Sequence, residues 1–249
     1  MAGHSKWNNI KRRKESQDAK KAKIFTKLSK EIYAAVRSGG TDPAVNLRLR
    51  MALAKARAEN IPSDNIDRTI KKAAGSTDNI QYEEMTYEGY GPGGAAVMVK
   101  ALTDNKNRTA AEIRHAFSRN GGNLGENGCV AFLFTRKGQL IMERSTDINV
   151  DDIMLDAIEA GAEDVEADEH AFYIQTAPEN FEEVKMELEK QGCHFVNAEV
   201  TMIPETKAEL ADEQAEQMVH LVEKLEDNDD VQHVYHNFEI SDSQLNQFT

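Results

Sequence analysis

The sequence is poor in the features that mark several protein classes. It has two cysteines in 249 residues, Cys129 and Cys193. That is too few for a disulfide framework and points to a reducing compartment. Its longest apolar run, residues 129–134, is six residues long, where a membrane-spanning helix needs about 20. The opening Met-Ala-Gly-His-Ser-Lys-Trp holds no apolar segment of the secretory kind. Gly stands at position 3 rather than 2, outside the myristoylation pattern. No Walker A, G-x-S-x-G or H-E-x-x-H motif occurs. Gly89-Tyr90-Gly91-Pro92-Gly93-Gly94 matches G-x-G-x-x-G, but an apolar strand follows it instead of the helix that a dinucleotide site requires. It reads as a hairpin turn and as a candidate partner loop. His233 and His236 fall on opposite faces of a strand, and Cys193-His194 has no companions at zinc spacing. The chain therefore reads as non-enzymatic, with no cofactor and no metal.

Charge is abundant, but it is unevenly placed. The net charge is −13. Residues 1–75 carry 18 Lys and Arg against 7 Asp and Glu, a net +11. Residues 76–137 are neutral, and residues 138–249 carry −24. Such asymmetry marks a polyanion-binding end. The acidic end admits three readings: solubility, a docking surface for a basic protein partner, or repulsion that keeps polyanions on the basic end.

The basic end is helical by pattern. Phe25, Leu28, Ile32 and Val36 form one stripe, and Lys20, Lys23, Lys27 and Lys30 form another on the nearly opposite face. Gly39-Gly40 ends this helix. Asp42 and Pro43 are expected to start a second, with Val45, Leu49, Leu53 and Ala56 inward. A third helix follows Ser63. Ahead of them, His4, Lys6 and Trp7 precede Lys11-Arg12-Arg13-Lys14, which joins cation density to an aromatic ring and suits phosphate contact with base stacking. A smaller cluster, Asn105, Lys106 and Arg108, opens a helix that carries Arg114 and His115, and a helix N-terminus is a natural phosphate site. Asn107 is a candidate cap there.

Beyond residue 78 the pattern turns to α+β. Strands are expected at 82–90, 95–102 and 129–134, with a helix at 108–120. Residues 139–203 follow the order β-α-β-β-α-β, the ferredoxin-like arrangement. A helix at 208–226 and a strand at 231–240 then lack partners of their own. They can complete the earlier sheet, which makes the ferredoxin-like unit an insertion.

Dense local matches carry a family resemblance. They include Gly3-His4-Ser5-Lys6-Trp7, Lys23-Ile24-Phe25-Thr26-Lys27, Tyr87-Glu88-Gly89-Tyr90-Gly91-Pro92-Gly93-Gly94 and Asp104-Asn105-Lys106-Asn107-Arg108-Thr109. The chain resembles the YebC family, which includes the mitochondrial translational activator of cytochrome oxidase. The resemblance implies a multidomain α+β protein with an N-terminal helical bundle at 1–77. It places an α+β domain at 78–135 plus 205–240, an inserted ferredoxin-like domain at 136–204, and a tail at 241–249. It implies a DNA-binding transcriptional regulator or, alternatively, a ribosome-associated translation factor that binds rRNA or tRNA and relieves stalling at proline-rich stretches. A monomer in the bacterial cytoplasm is expected.

Overall fold

The computed structural model describes residues 17–75, 80–144, 149–241 and 244, with side chains from residue 22 onward. Three helices come first: α1 (Gln17–Gly39), α2 (Leu47–Ala58) and α3 (Ser63–Gly75). Their core follows the apolar stripe. Leu28, Ile32 and Val36 of α1 pack on Leu49, Leu53 and Ala56 of α2 and on Ile66 and Ala73 of α3. Phe25, expected in that stripe, is only partly buried.

The start of α2 differs from the expectation. Asp42 makes a turn instead of capping a helix: its Oδ1 accepts from the Ala44 amide, and its carbonyl accepts from Val45 and Asn46. This local bonding competes with the helix and delays it. The cap is Asn46, which is buried. Its Oδ1 accepts from the Leu49 amide at 3.0 Å, and its Nδ2 donates to the carbonyls of Ala35 and Gly40 at 2.8 Å. One side chain thus caps α2 and ties it to the end of α1. Val45, outside the helix, is exposed.

The first sheet begins with β1 (Glu83–Tyr90) and β2 (Ala96–Thr103), antiparallel across a 3₁₀ turn at Pro92–Gly94. Then come α4 (Lys106–Arg119) and the short β3 (Asn123–Leu124). The second sheet uses β4 (Phe134–Glu143), α5 (Val150–Glu159), β5 (Asp164–Ala167), β6 (Ala171–Thr176), α6 (Phe181–Lys190) and β7 (Asn197–Pro204). Its strand order is β5-β6-β4-β7, antiparallel throughout. Residues 129–134, expected as a short strand of their own, instead lead through a 3₁₀ turn at Ala131–Leu133 into Phe134, the first residue of β4.

The chain next forms β8 (Ala208–Glu209), α7 (Asp212–Glu226), β9 (Val231–His236) and β10 (Phe238–Glu239). Strand β9 pairs with β2, so the first sheet has the order β3-β1-β2-β9. Alternation on β2 sends Val97, Val99 and Ala101 toward α4 and α7, where Ile113, Phe117, Met218 and Leu221 complete one core. A second core lies between the other sheet and α5 and α6. The return of β9 to β2 brings the turn between α7 and β9 to the edge of the first sheet, beside α1.

Candidate nucleic-acid interface

His4, Lys6, Trp7, Lys11, Arg12, Arg13 and Lys14 lie outside the described residues, as does the side chain of Lys20. The rest of the lysine stripe is described, and its ammonium groups meet the 226–230 turn, Lys23 from an exposed position. Lys23 Nζ pairs with Asp227 Oδ1. Lys27 Nζ donates to the Glu226 carbonyl at 2.9 Å. Lys30 Nζ donates to the Asp229 carbonyl at 2.9 Å and to Asp230 Oδ1 at 2.7 Å. Helix α7 ends at Glu226, so the acceptors combine carboxylates with the electronegative C-terminus of a helix.

Asp230 is the centre of this contact. Its side chain is only 4% exposed. Besides Lys30, it accepts from Arg108 Nη2 at 2.7 Å and Thr109 Oγ1 at 2.8 Å, both on Oδ2. Burial by itself would raise its pKa. The bonds from Lys30, Arg108 and Thr109 more than offset that and bring it down to about 2. Arg108 also bonds Asp104 Oδ1 at 2.8 Å, and Lys106 pairs with Glu83. Asn105, not Asn107, caps α4, its Oδ1 accepting from the Arg108 amide at 3.1 Å. The second basic cluster is therefore matched by carboxylates as well. A cavity of about 350 Å³ opens here, with Lys30 and Arg108 against Asp104, Glu112, Asp229 and Asp230 in its wall. Four carboxylates against two cations make it a poor phosphate site in this conformation.

Several exposed cations without an ion pair among the described residues lie elsewhere. Lys55 and Arg57 are exposed on α2, and Arg68, Lys71 and Lys72 on α3. Arg114 and His115 are exposed on α4. Sequence periodicity singled out the stripe on α1 and passed over α2 and α3, whose cations are less regularly spaced. Asp230 was also missed, because an acidic run next to a helix end looks like a solvated surface.

The Gly/Pro loop is less open than its composition suggests. Gly91 and Pro92 are buried, and a Cβ on Gly91 would lie 2.6 Å from Met218 Sδ of α7. Gly93 has φ +64, a conformation that favours glycine. Tyr90, Gly93 and Gly94 remain exposed. Tyr90 donates its hydroxyl to the Cys129 carbonyl at 2.9 Å. The neighbouring loop is organised by a residue that sequence reasoning did not find. Glu88, 5% exposed, accepts the backbone amides of Gly128, Val130 and Ala131 at 2.8–2.9 Å. Burial raises its pKa, but these three bonds and Lys100 lower it further, so the net shift is downward. Three amides turned onto one carboxylate cannot pair in a strand, which is why residues 129–133 do not form one. Phe132 stands 70% exposed on this pinned loop.

No three His, Cys, Asp or Glu side chains gather as metal ligands among the described residues. No described helix is long and apolar enough to cross a membrane. Residues 5–76 match the TACO1/YebC N-terminal domain, and residues 82–238 match the TACO1/YebC second and third domain. The chain belongs to the TACO1/YebC family. A probable transcriptional regulatory protein of Geobacillus sp. (strain WCH70) is 59% identical over 242 residues, covering 97% of this chain and 98% of that one. The probable transcriptional regulatory protein YrbC of Bacillus subtilis (strain 168) is 55% identical over 239 residues, covering 96% and 99%. The crystal structure of a conserved hypothetical protein, Aq1575 from Aquifex aeolicus, superposes with a TM-score of 0.77 at 46% identity, covering 91% of this chain and 93% of that one. Within the family frame, the segment 5–76 coincides with the three-helix unit and 82–238 with the two sheets.

Proposed function

We propose that this TACO1/YebC protein is a non-enzymatic, nucleic-acid-binding regulator of gene expression that acts in the bacterial cytoplasm as a monomer. The observation that carries the reading is the concentration of cations on the helical unit, where Lys55, Arg57, Arg68, Lys71 and Lys72 are exposed and make no ion pair among the described residues. The relatives' name, probable transcriptional regulatory protein, supports DNA as the target. We read three domains in the chain: the helical unit, the first sheet with α4 and α7, and a ferredoxin-like unit inserted between β3 and β8.

A second reading, a ribosome-associated factor that binds rRNA or tRNA and relieves stalling at proline-rich stretches, draws on a specific feature. In a duplex-DNA reader, helix α3, which follows α2 after a short turn in which Asn60 has φ +56, would be the recognition helix. Its first turns, however, carry Asp64 and Asp67. Recognition helices read bases with their N-terminal residues, and carboxylates there would meet phosphates. Contact with the backbone alone needs no base code and suits structured RNA as well as duplex DNA.

The test is a salt series of binding to duplex DNA and to tRNA-sized RNA, with wild type and the quadruple variant Lys55→Gln, Arg57→Gln, Lys71→Gln, Lys72→Gln. Each lost phosphate contact should lower the log–log salt slope by about 0.7–0.9. An unchanged slope on both nucleic acids would refute this face. Sedimentation of lysate at moderate salt separates the two targets: recovery with nucleoid DNA supports the first, and co-migration with ribosomes supports the second.

A further inference from the structure

We propose that the Lys23–Lys27–Lys30 face of α1 is a polyanion-binding surface that the chain's own 226–230 turn occupies, so that a nucleic-acid backbone and this turn compete for it. The inference rests on the nucleic-acid reading above and adds its regulation.

The turn imitates a phosphate strand. Three ammonium groups at i, i+4 and i+7 rise about 10 Å along one side of α1. They meet Asp227 Oδ1, the Glu226 carbonyl, and then the Asp229 carbonyl with Asp230 Oδ1, in that order. These are anionic or strongly electronegative oxygens in sequence, which is what a nucleic-acid backbone would offer. While they are in place, the adjoining cavity has an excess of carboxylates and repels phosphate.

The contact is built to separate. Asp230 has donors of its own on the sheet side, Arg108 and Thr109. Departure of Lys30 therefore leaves no buried carboxylate without partners, the circumstance that makes breaking a buried pair so costly. The outer end is weaker still: the Lys23 and Asp227 side chains are 47% and 49% exposed, and such pairs contribute little and yield to salt. Helices α2 and α3 both pack on α1, and none of the three packs comparably closely on an element of either sheet. Apolar contact across the joint is confined to a few side chains, among them Tyr33 and Tyr82, edge to face at 5.6 Å. Lysine bonds to carboxylates and main-chain carbonyls of the turn, with the partly exposed Arg48–Glu84 pair, thus hold the helical unit on the first sheet, and a competing polyanion offers oxygens of the same kind to the lysines.

The apparent affinity of such a protein is its intrinsic affinity scaled by the fraction with the face released. The experiment uses the full chain, duplex DNA and tRNA-sized RNA as nucleic-acid probes, and inorganic polyphosphate as a base-free probe. It compares wild type with Asp227→Asn/Asp229→Asn, which removes the Asp227–Lys23 pair and one carboxylate from the wall of the adjoining cavity. The control is Asp151→Asn/Asp152→Asn on α5, which changes net charge equally. The turn variant should bind the probes about 5-fold or more tightly than the control. Amide hydrogen exchange at residues 226–230 should rise when any probe binds wild type. If the chain binds nucleic acid, the two variants bind alike and exchange at 226–230 does not rise, the competition is refuted and the nucleic-acid reading stands. If no form binds nucleic acid at low salt while polyphosphate still releases the turn, the functional reading fails and the competing surface stands. If nothing binds, both fall.

Discussion

The Lys30 ammonium and the Asp230 carboxylate, 200 residues apart in sequence, lie 2.7 Å apart and join the helical unit to the first sheet. The side chains are 17% and 4% exposed. Because Arg108 and Thr109 bond the other carboxylate oxygen, Asp230 is a hub that gathers α1, α4 and the start of β9.

Removing the hub should destabilise the fold. Asp230→Ala leaves Arg108 and Thr109 facing an empty site. A loss of about 3 kcal/mol is expected for the unfolding step that includes β9, read from the urea midpoint. A loss under about 1 kcal/mol would mean that solvent screens the group.

Acid should act through the same carboxylate. Its folded pKa, about 2, lies below the ordinary 3.8, so the ionised form is favoured by folding. The stabilisation is complete above about pH 4 and is lost as pH falls from there through about 2. Its size is about 2 kcal/mol. Urea midpoints measured from about pH 5 to 2 should fall less steeply in Asp230→Asn than in wild type. Parallel curves would contradict this assignment.

Glu88→Gln should loosen the loop at 126–133 without unfolding the sheet. The amide keeps the size but turns an N–H₂ toward backbone N–H groups, so at least one of three bonds is lost at about 2 kcal/mol. Hydrogen exchange at Gly128, Val130 and Ala131 should rise by about tenfold or more. Unchanged protection would show that the loop holds itself.

Asn46→Ala should weaken the helical unit more than an ordinary cap deletion. A lost cap costs about 1 kcal/mol, and here the Ala35 carbonyl also loses its Asn46 partner in a buried setting. About 2 kcal/mol in total is expected from thermal or chemical unfolding. Asn46→Asp, which keeps the cap acceptor but sets a buried carboxylate oxygen against the Ala35 and Gly40 carbonyls, should cost at least as much as Asn46→Ala.

Much of the fold was readable in advance because it rests on local pattern. The stripe of Leu28, Ile32 and Val36, the alternation along residues 96–103 and the Gly-rich turn between two strands each follow from spacing a few residues long. The errors arose where a side chain overrode local preference. Asp42 turned the chain on itself and passed the cap to Asn46. Glu88 drew three amides away from a strand at 129–133.

The sequence by itself determined where charge is concentrated, most of the helices and strands, and the family. These depend on composition and short-range periodicity, which one chain displays in full. Only the tertiary structure decided which cations are available. Three lysines on a regular stripe look exposed in a helical projection, yet the return of β9 to β2 sets the Asp227–Asp230 turn against them. Charge pairing depends on distances of a few ångströms between residues about 200 positions apart, and no local spacing encodes that proximity.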